Sequence, residues 1–315
     1  MMLKRQLPLG KKLRYLAEAA PFFLFMGLFR LLGIDAASAL GGQIGRHIFT
    51  RLAPARTAYN NLQAAYPDKS PSELDSIVRE HCENLGRVVA EYAHLDKMTF
   101  GPGKRIEIEG TEHADAAMVA GKGVMFVSGH LGNWEVMPIA AIQLHYDGAL
   151  VYRPPNNPYV AEYIFRQRAK TGVADQISKG ASGTRRIFSL LRKGGCVFLL
   201  VDQKTYEGVP APFFGRDVMT TSAPAALALK LGSLLVPISC ERVGGAHFRM
   251  KVYPPVDYTP SGDEDADILA LTAEINKNIE TIVRKHPAQW LWIHRRWTSA
   301  RDIEKMQKMA AKKNG

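Results

Sequence analysis

Three short stretches of this 315-residue chain place versatile side chains where strands give way to loops. The first reads Ser128-Gly129-His130-Leu131-Gly132-Asn133-Trp134-Glu135 and follows an apolar run, 123–127, that has the texture of a buried strand. Gly129 and Gly132 allow an unusual loop path. Glu135 falls at the start of the next helical pattern, 133–144, so the imidazole and the carboxylate can converge across the turn. A carboxylate beside an imidazole fixes its tautomer and raises its basicity, which makes a general base. Such a base can take a proton from a hydroxyl that then attacks an acyl carbonyl directly, with no serine or cysteine nucleophile. The other reading of this histidine is a helix cap or a backbone contact.

The second stretch is Tyr152-Arg153-Pro154-Pro155-Asn156-Asn157-Pro158, which ends a strand at 149–152 and opens a helix over 158–171 carrying Arg166, Arg168 and Lys170. Prolines stiffen the loop, and arginine forks suit phosphate or carboxylate; a solvated basic face is the alternative. The third begins at Asp202-Gln203, at the end of the apolar strand 196–201, and continues through Phe213-Phe214-Gly215 to Thr220-Thr221-Ser222. A carboxylate at a strand end either works on a ligand or caps a loop. Paired phenylalanines line either an acyl chain or the core.

These stretches resemble the lipid A biosynthesis late acyltransferases, within the wider H-x-x-x-x-[DE] acyltransferase superfamily. The likeness rests on HLGNWE at 130–135, on Y-R-P-x-x-N-P at 152–158 with Arg168 beyond it, and on D-Q…F-F-G…T at 202–220. It extends to Pro237 and to P-x-Q-W-x-W-x-H-x-R at 287–296, all in the family's order. The resemblance implies His130 as general base oriented by Glu135. It gives Arg168 an oxyanion or substrate-binding role and sets Arg153 near phosphates. Asn133, Asp202, Gln203, Phe213 and Phe214 are expected to contact substrate. The implied donor is acyl carrier protein and the implied acceptor a phosphorylated glucosamine lipid, with no metal or organic cofactor. Donor choice between carrier protein and acyl-CoA, and an acceptor among glycerolipids or mannosylated inositol lipids, stay open. A hydrolase using the same residues on water and a non-catalytic membrane partner also stay open. The Trp- and Arg-rich 287–297 segment suits a bilayer interface; a basic aromatic cluster also suits RNA, but no nucleic-acid motif surrounds it.

The surrounding elements must hold these residues. From about residue 104 strands and helices alternate, which predicts an α/β domain with a central mixed sheet flanked by helices. The first third reads as helical, with Ser70-Pro71-Ser72-Glu73 as a capping box ahead of an amphipathic stripe that runs to Tyr92. The natural divisions are a basic, anchoring segment over 1–34, the acyltransferase domain over 35–300 and a basic tail over 301–315.

With a net charge of +11, the chain favours anionic partners. Its three cysteines lack disulfide or zinc spacing, and Cys196 and Cys240 read as core thiols. Lys4, Arg5, Lys11, Lys12 and Arg14 precede an uncharged run, 19–29, that is shorter than the ~20 residues of a full span. A helix dipping into the cytoplasmic face of the inner membrane is the preferred reading. A complete span from about residue 13 to 34, a buried core helix and a signal peptide without a convincing cleavage site are the alternatives.

Overall fold

The computed structural model describes residues 7–146 and 148–297, so the basic tail assigned to 301–315 lies outside the described residues, as do Lys4 and Arg5. Four helices come first: α1 (Leu9–Leu31), α2 (Ile34–His47), α3 (Ala53–Ala65) and α4 (Pro71–Glu91). The α4 capping box forms as its sequence predicts, Ser70 and Glu73 each satisfying the other's backbone N–H. Helices α2 and α4 pack backbone to backbone: a Cβ on Gly86 would stand 2.1 Å from the Gly41 carbonyl oxygen, so only glycine permits this crossing.

After α4 the chain runs β1 (Ile106–Glu109), α5 (Thr111–Val119), β2 (Val124–Ser128), α6 (Val136–Gln143), β3 (Gly148–Tyr152), α7 (Pro158–Lys170), β4 (Gln176–Ser178), α8 (Ala181–Arg192) and β5 (Cys196–Leu200). A hairpin of β6 (Val209–Phe213) and β7 (Arg216–Thr220) follows, then α9 (Ala223–Leu231), β8 (Leu234–Gly244), β9 (His247–Val252) and α10 (Glu264–Lys285). The main sheet has the order β1-β9-β8-β2-β5-β3-β4, and its pairs are parallel except β8 with β9. This is the mixed sheet expected from the alternation. One face packs on α5 and α6; the other carries the larger core, to which α3, α4, α9, α10 and three tryptophans contribute.

The parallel strands β2, β5, β3 and β4 all end on one edge of the sheet, the edge where ligands bind in folds of this kind. Helix α1 is bound to the rest of the protein. Phe22 and Phe23 pack edge-on against Tyr163 of α7, Arg30 forms an ion pair with Asp96, and Asn157 donates to the Tyr15 carbonyl. Leu9, Leu13, Leu16, Leu24, Leu28 and Leu31 stay exposed along it. Among the described residues no helix is long and apolar enough to cross a membrane.

Candidate active site

Strands β2 and β5 pair with Ser128 opposite Leu200. His130 and Asp202 each lie two residues beyond that pair, so the register alone brings them together. The His130 ring Nδ1 lies 2.7 Å from Asp202 Oδ1, and the His130 backbone N–H donates to Oδ2 at 2.7 Å. The Trp290 indole N–H donates to Oδ2 as well, at 2.7 Å. Burial opposes ionisation of Asp202, yet the His130 charge and these hydrogen bonds hold its carboxyl well below the usual carboxylate range. An ionised acceptor at Nδ1 makes that nitrogen the proton carrier and leaves the Nε2 lone pair free. Nε2 faces a cavity of about 140 Å³, where the Gln203 side-chain nitrogen lies 3.5 Å from it.

This changes the expected pairing. The carboxylate hydrogen-bonded to His130 is Asp202, and both oxygens of Glu135 are engaged elsewhere. Arg168 donates to them from Nε at 2.6 Å and from Nη2 at 2.7 Å, and the Tyr92 hydroxyl donates to Oε1. The helix also starts later than its pattern indicates: Asn133 Oδ1 accepts the Glu135 N–H, so residues 133–135 form a capped turn and Glu135 precedes α6. Burial works against the Glu135 charge, but Arg168 and Tyr92 outweigh it and keep the carboxyl below its ordinary value. Arg168 in turn is held firmly protonated: its burial is outweighed by the Glu135 charge. Its Nη1 is a buried donor without a protein partner, on a side chain that lines the cavity.

The loop carrying His130 is braced from two sides. The Leu291 N–H donates to the His130 carbonyl at 3.0 Å, and the Gly132 N–H to the Gln289 carbonyl at 3.0 Å. Gly132 adopts φ +55°, and a Cβ there would stand 2.3 Å from the Cys240 carbonyl oxygen. Beneath the loop, a buried ion pair joins Glu91 of α4 to Arg242 of β8 at 2.5 Å. Glu91 also accepts from the Asn133 side chain at 2.8 Å, and Arg242 donates to Asn84, which donates to the Gly132 carbonyl.

His130, Glu135, Arg153, Arg168 and Gln203 thus share one cavity, together with Tyr152, Lys179 and an apolar inner wall of Phe126, Met137, Leu150, Phe198 and Ile238. Other expected contacts fall elsewhere. Asn133 is fully buried and spends its side chain on Glu91 and the Glu135 backbone. Asp202, expected to contact substrate, is 2% exposed and stands behind His130. Phe213 and Phe214 pack against Trp290, Trp292 and Trp297 in the core, away from the cavity lining. In the 287–297 segment Trp290, Trp292, Trp297 and Arg296 are buried while Arg295 is exposed, so its tryptophans belong to the core that supports the site. Tyr92, Glu91, Arg242 and Lys179 were not anticipated here. Tyr92 ends the apolar stripe of α4 and so reads as core from sequence.

The bacterial lipid A biosynthesis acyltransferase family matches residues 8–299. This chain belongs to that family. It is an acyltransferase of the lipid A late type. A lipid A biosynthesis palmitoleoyltransferase of Escherichia coli is 27% identical over 252 residues, covering 76% of this chain and 77% of the relative. The lipid A biosynthesis lauroyltransferase of the same organism is 26% identical over 253 residues, covering 77% and 78%. A phosphatidylinositol mannoside acyltransferase of Mycobacterium tuberculosis is 30% identical over 261 residues, covering 80% of each chain. In this acyltransferase an oriented base, a buried cationic donor and an apolar cavity meet at the His130 constellation.

Proposed function

We propose that this acyltransferase moves a fatty acyl chain from the thioester of acyl carrier protein to a hydroxyl of a phosphorylated glucosamine lipid, with His130 as general base. The observation that carries the reading is the pairing of His130 Nδ1 with buried Asp202 while Nε2 opens onto the cavity. His130 Nε2 takes the acceptor proton as the hydroxyl oxygen attacks the thioester carbonyl. Asp202 holds the tautomer and offsets the imidazolium charge. Negative charge develops on the carbonyl oxygen, where the unpaired Arg168 Nη1 supplies a preorganised donor. Glu135 and Tyr92 fix the Arg168 fork in place. The C–S bond then breaks, and the His130 proton passes to the departing sulfur, giving ester and free thiol. Phe126, Met137, Leu150, Phe198 and Ile238 receive the acyl chain.

The leucine-studded side of α1, with Lys11 and Lys12, supports seating on the cytoplasmic face of the inner membrane, the helix dipping into one leaflet. A net charge of +11 favours an acidic carrier protein and a phosphorylated lipid.

The test incubates detergent-solubilised protein with carrier protein loaded with chains of several lengths and a tetra-acylated lipid A precursor, with acyl-CoA and a mannosylated inositol lipid as competing donor and acceptor. Mass spectrometry is expected to show the lipid A precursor heavier by one acyl group, with the gain absent in His130→Ala. Release of free fatty acid without transfer would establish a hydrolase, and transfer only from acyl-CoA to the inositol lipid would reassign both substrates.

A further inference from the structure

Strands β3 and β4 run parallel with Tyr152 opposite Ser178, and the Lys179 N–H donates to the Tyr152 carbonyl at 3.1 Å. The next residue on each strand is therefore a cation, Arg153 on one and Lys179 on the other, leaving neighbouring strands about 4.8 Å apart at the same level. Both line the cavity into which His130 points, and both are open to solvent on their outer side. Among the described residues neither side chain has a hydrogen-bond or ion-pair partner, whereas nearby cations are matched: Arg166 with Glu162 and Arg186 with Asp175. The cavity's own carboxylate, Glu135, is committed to Arg168, and Asp202 is committed to His130. Burial depresses the Lys179 ammonium, Asp202 works against that, and Arg153 adds a smaller push downward. Two like charges fixed side by side by sheet register repel each other until an anion lies between them.

We propose that Arg153 and Lys179 form an anion subsite at the mouth of the catalytic cavity, and that its ligand is a substrate phosphate. The inference rests on the acyl-transfer reading for its candidate ligands. Those are the phosphodiester of the carrier protein's phosphopantetheine arm and the phosphate monoester of the glucosamine lipid. The Arg153 fork binds two phosphate oxygens in its plane, and Lys179 adds a point charge. Arg168 Nη1, buried deeper, serves the reacting carbonyl and is separate from this outer position.

Titration calorimetry on the intact protein tests it with two matched pairs of probes: pantetheine 4′-phosphate against pantetheine, and glucosamine 1-phosphate against glucosamine. In the wild type the phosphorylated member of one pair is expected to bind at least about tenfold more tightly, the size of a charge-assisted hydrogen-bonded contact. The pair that shows the preference identifies the source. In the Lys179→Met, Arg153→Gln double variant the preference is expected to fall to within twofold, with Lys179→Arg retaining it. Equal binding of phosphorylated and unphosphorylated probes by the wild type, or an unchanged preference in the double variant, overturns the subsite. The transfer assay run alongside separates the two ideas. Transfer with no phosphate preference removes the subsite alone, and a phosphate preference that vanishes in the double variant, without transfer from any donor, confirms the subsite and removes the proposed donor and acceptor.

Discussion

Asp202 holds His130 twice, through the ring nitrogen and through the backbone N–H, each at 2.7 Å. The double contact fixes both the tautomer and the position of the loop. Asp202→Asn keeps the shape but replaces a charged acceptor with an amide that can present the wrong group to Nδ1. The expected result is a fall in kcat of roughly 10³- to 10⁴-fold with little change in KM, as for the orienting acid of a catalytic triad. Glu135→Gln should leave the His130 Nδ1 proton resonance in place, and Asp202→Asn should shift it. The reverse pattern in proton NMR would return the orienting role to Glu135.

Arg168 is predicted to act on kcat. Its Nε and Nη2 are spent on Glu135, and Nη1 remains for the oxyanion. Arg168→Gln should lower kcat about 10²- to 10³-fold, the usual cost of one oxyanion donor. Lysine cannot both hold Glu135 bidentately and present a third nitrogen, so Arg168→Lys should recover little. A rise in KM with kcat intact, measured on the carrier-protein donor, would reassign Arg168 to ground-state binding.

Much of this was readable from the chain and some was not, for reasons that can be named. The alternation after residue 104 was legible because short apolar runs are closed by glycine or proline, and α7 fills the helix expected over 158–171 to within one residue. The hairpin β6–β7 was not, since Pro210 and Pro212 interrupt a strand pattern and signal a loop. His130, Arg153, Arg168 and Gln203 were recognisable as cavity residues from motif and strand-end position. The true partner of His130 was not, because Glu135 is near in sequence while Asp202 is 72 positions away. Only the β2–β5 register makes Asp202 the nearer carboxylate. Phe213 and Phe214 carry the same apolar signature whether they face a lipid chain or three tryptophans, so sequence could not place them.

The Glu91–Arg242 pair gives a stability prediction. It is buried, at 0% and 8% side-chain exposure, and it ties α4 to β8 under the Asn133 turn. Glu91→Gln strands the Arg242 guanidinium and should destabilise the protein by about 3–5 kcal/mol, read as a lowered denaturant midpoint. Glu91→Met with Arg242→Met removes both charges and should recover most of that stability. It should not recover full activity, because Asn133 loses its acceptor. A double variant as unstable as the single would show that the pair acts through something other than a stranded charge.

Acyl preference should follow the inner wall of the cavity. Phe126 and Phe198 stack at 5.0 Å, nearly parallel, and with Met137 and Ile238 they separate the cavity from a small void of about 10 Å³ beside Ala141 and Tyr146. Phe198→Ala joins the two spaces. Each additional buried methylene is worth about 0.8 kcal/mol, roughly fourfold in kcat/KM. Competition between donors of different length should therefore move toward the longer chain by about that factor per carbon. An unchanged length profile would place the end of the acyl chain elsewhere.

His81 predicts how stability depends on pH. It sits on the inner side of α4, 1% exposed, and burial drives its imidazole down from 6.5 to about 4, a backbone contact with Trp290 working weakly the other way. Between those two values the unfolded chain binds a proton that the folded protein refuses. Stability should therefore be unaffected by this group above pH 6.5, fall as pH drops from 6.5 towards 4, and level off below, a loss of roughly 3 kcal/mol in all. His294, also lowered to about 4 chiefly by burial, adds to the same window. Urea midpoints taken from pH 7.5 to 4.5 should thus decline in the wild type and decline less steeply in His81→Leu, whose remaining slope belongs in part to His294. Identical slopes in the two proteins would mean that His81 titrates alike in both states, and that α4 opens enough near Trp290 to let it be solvated.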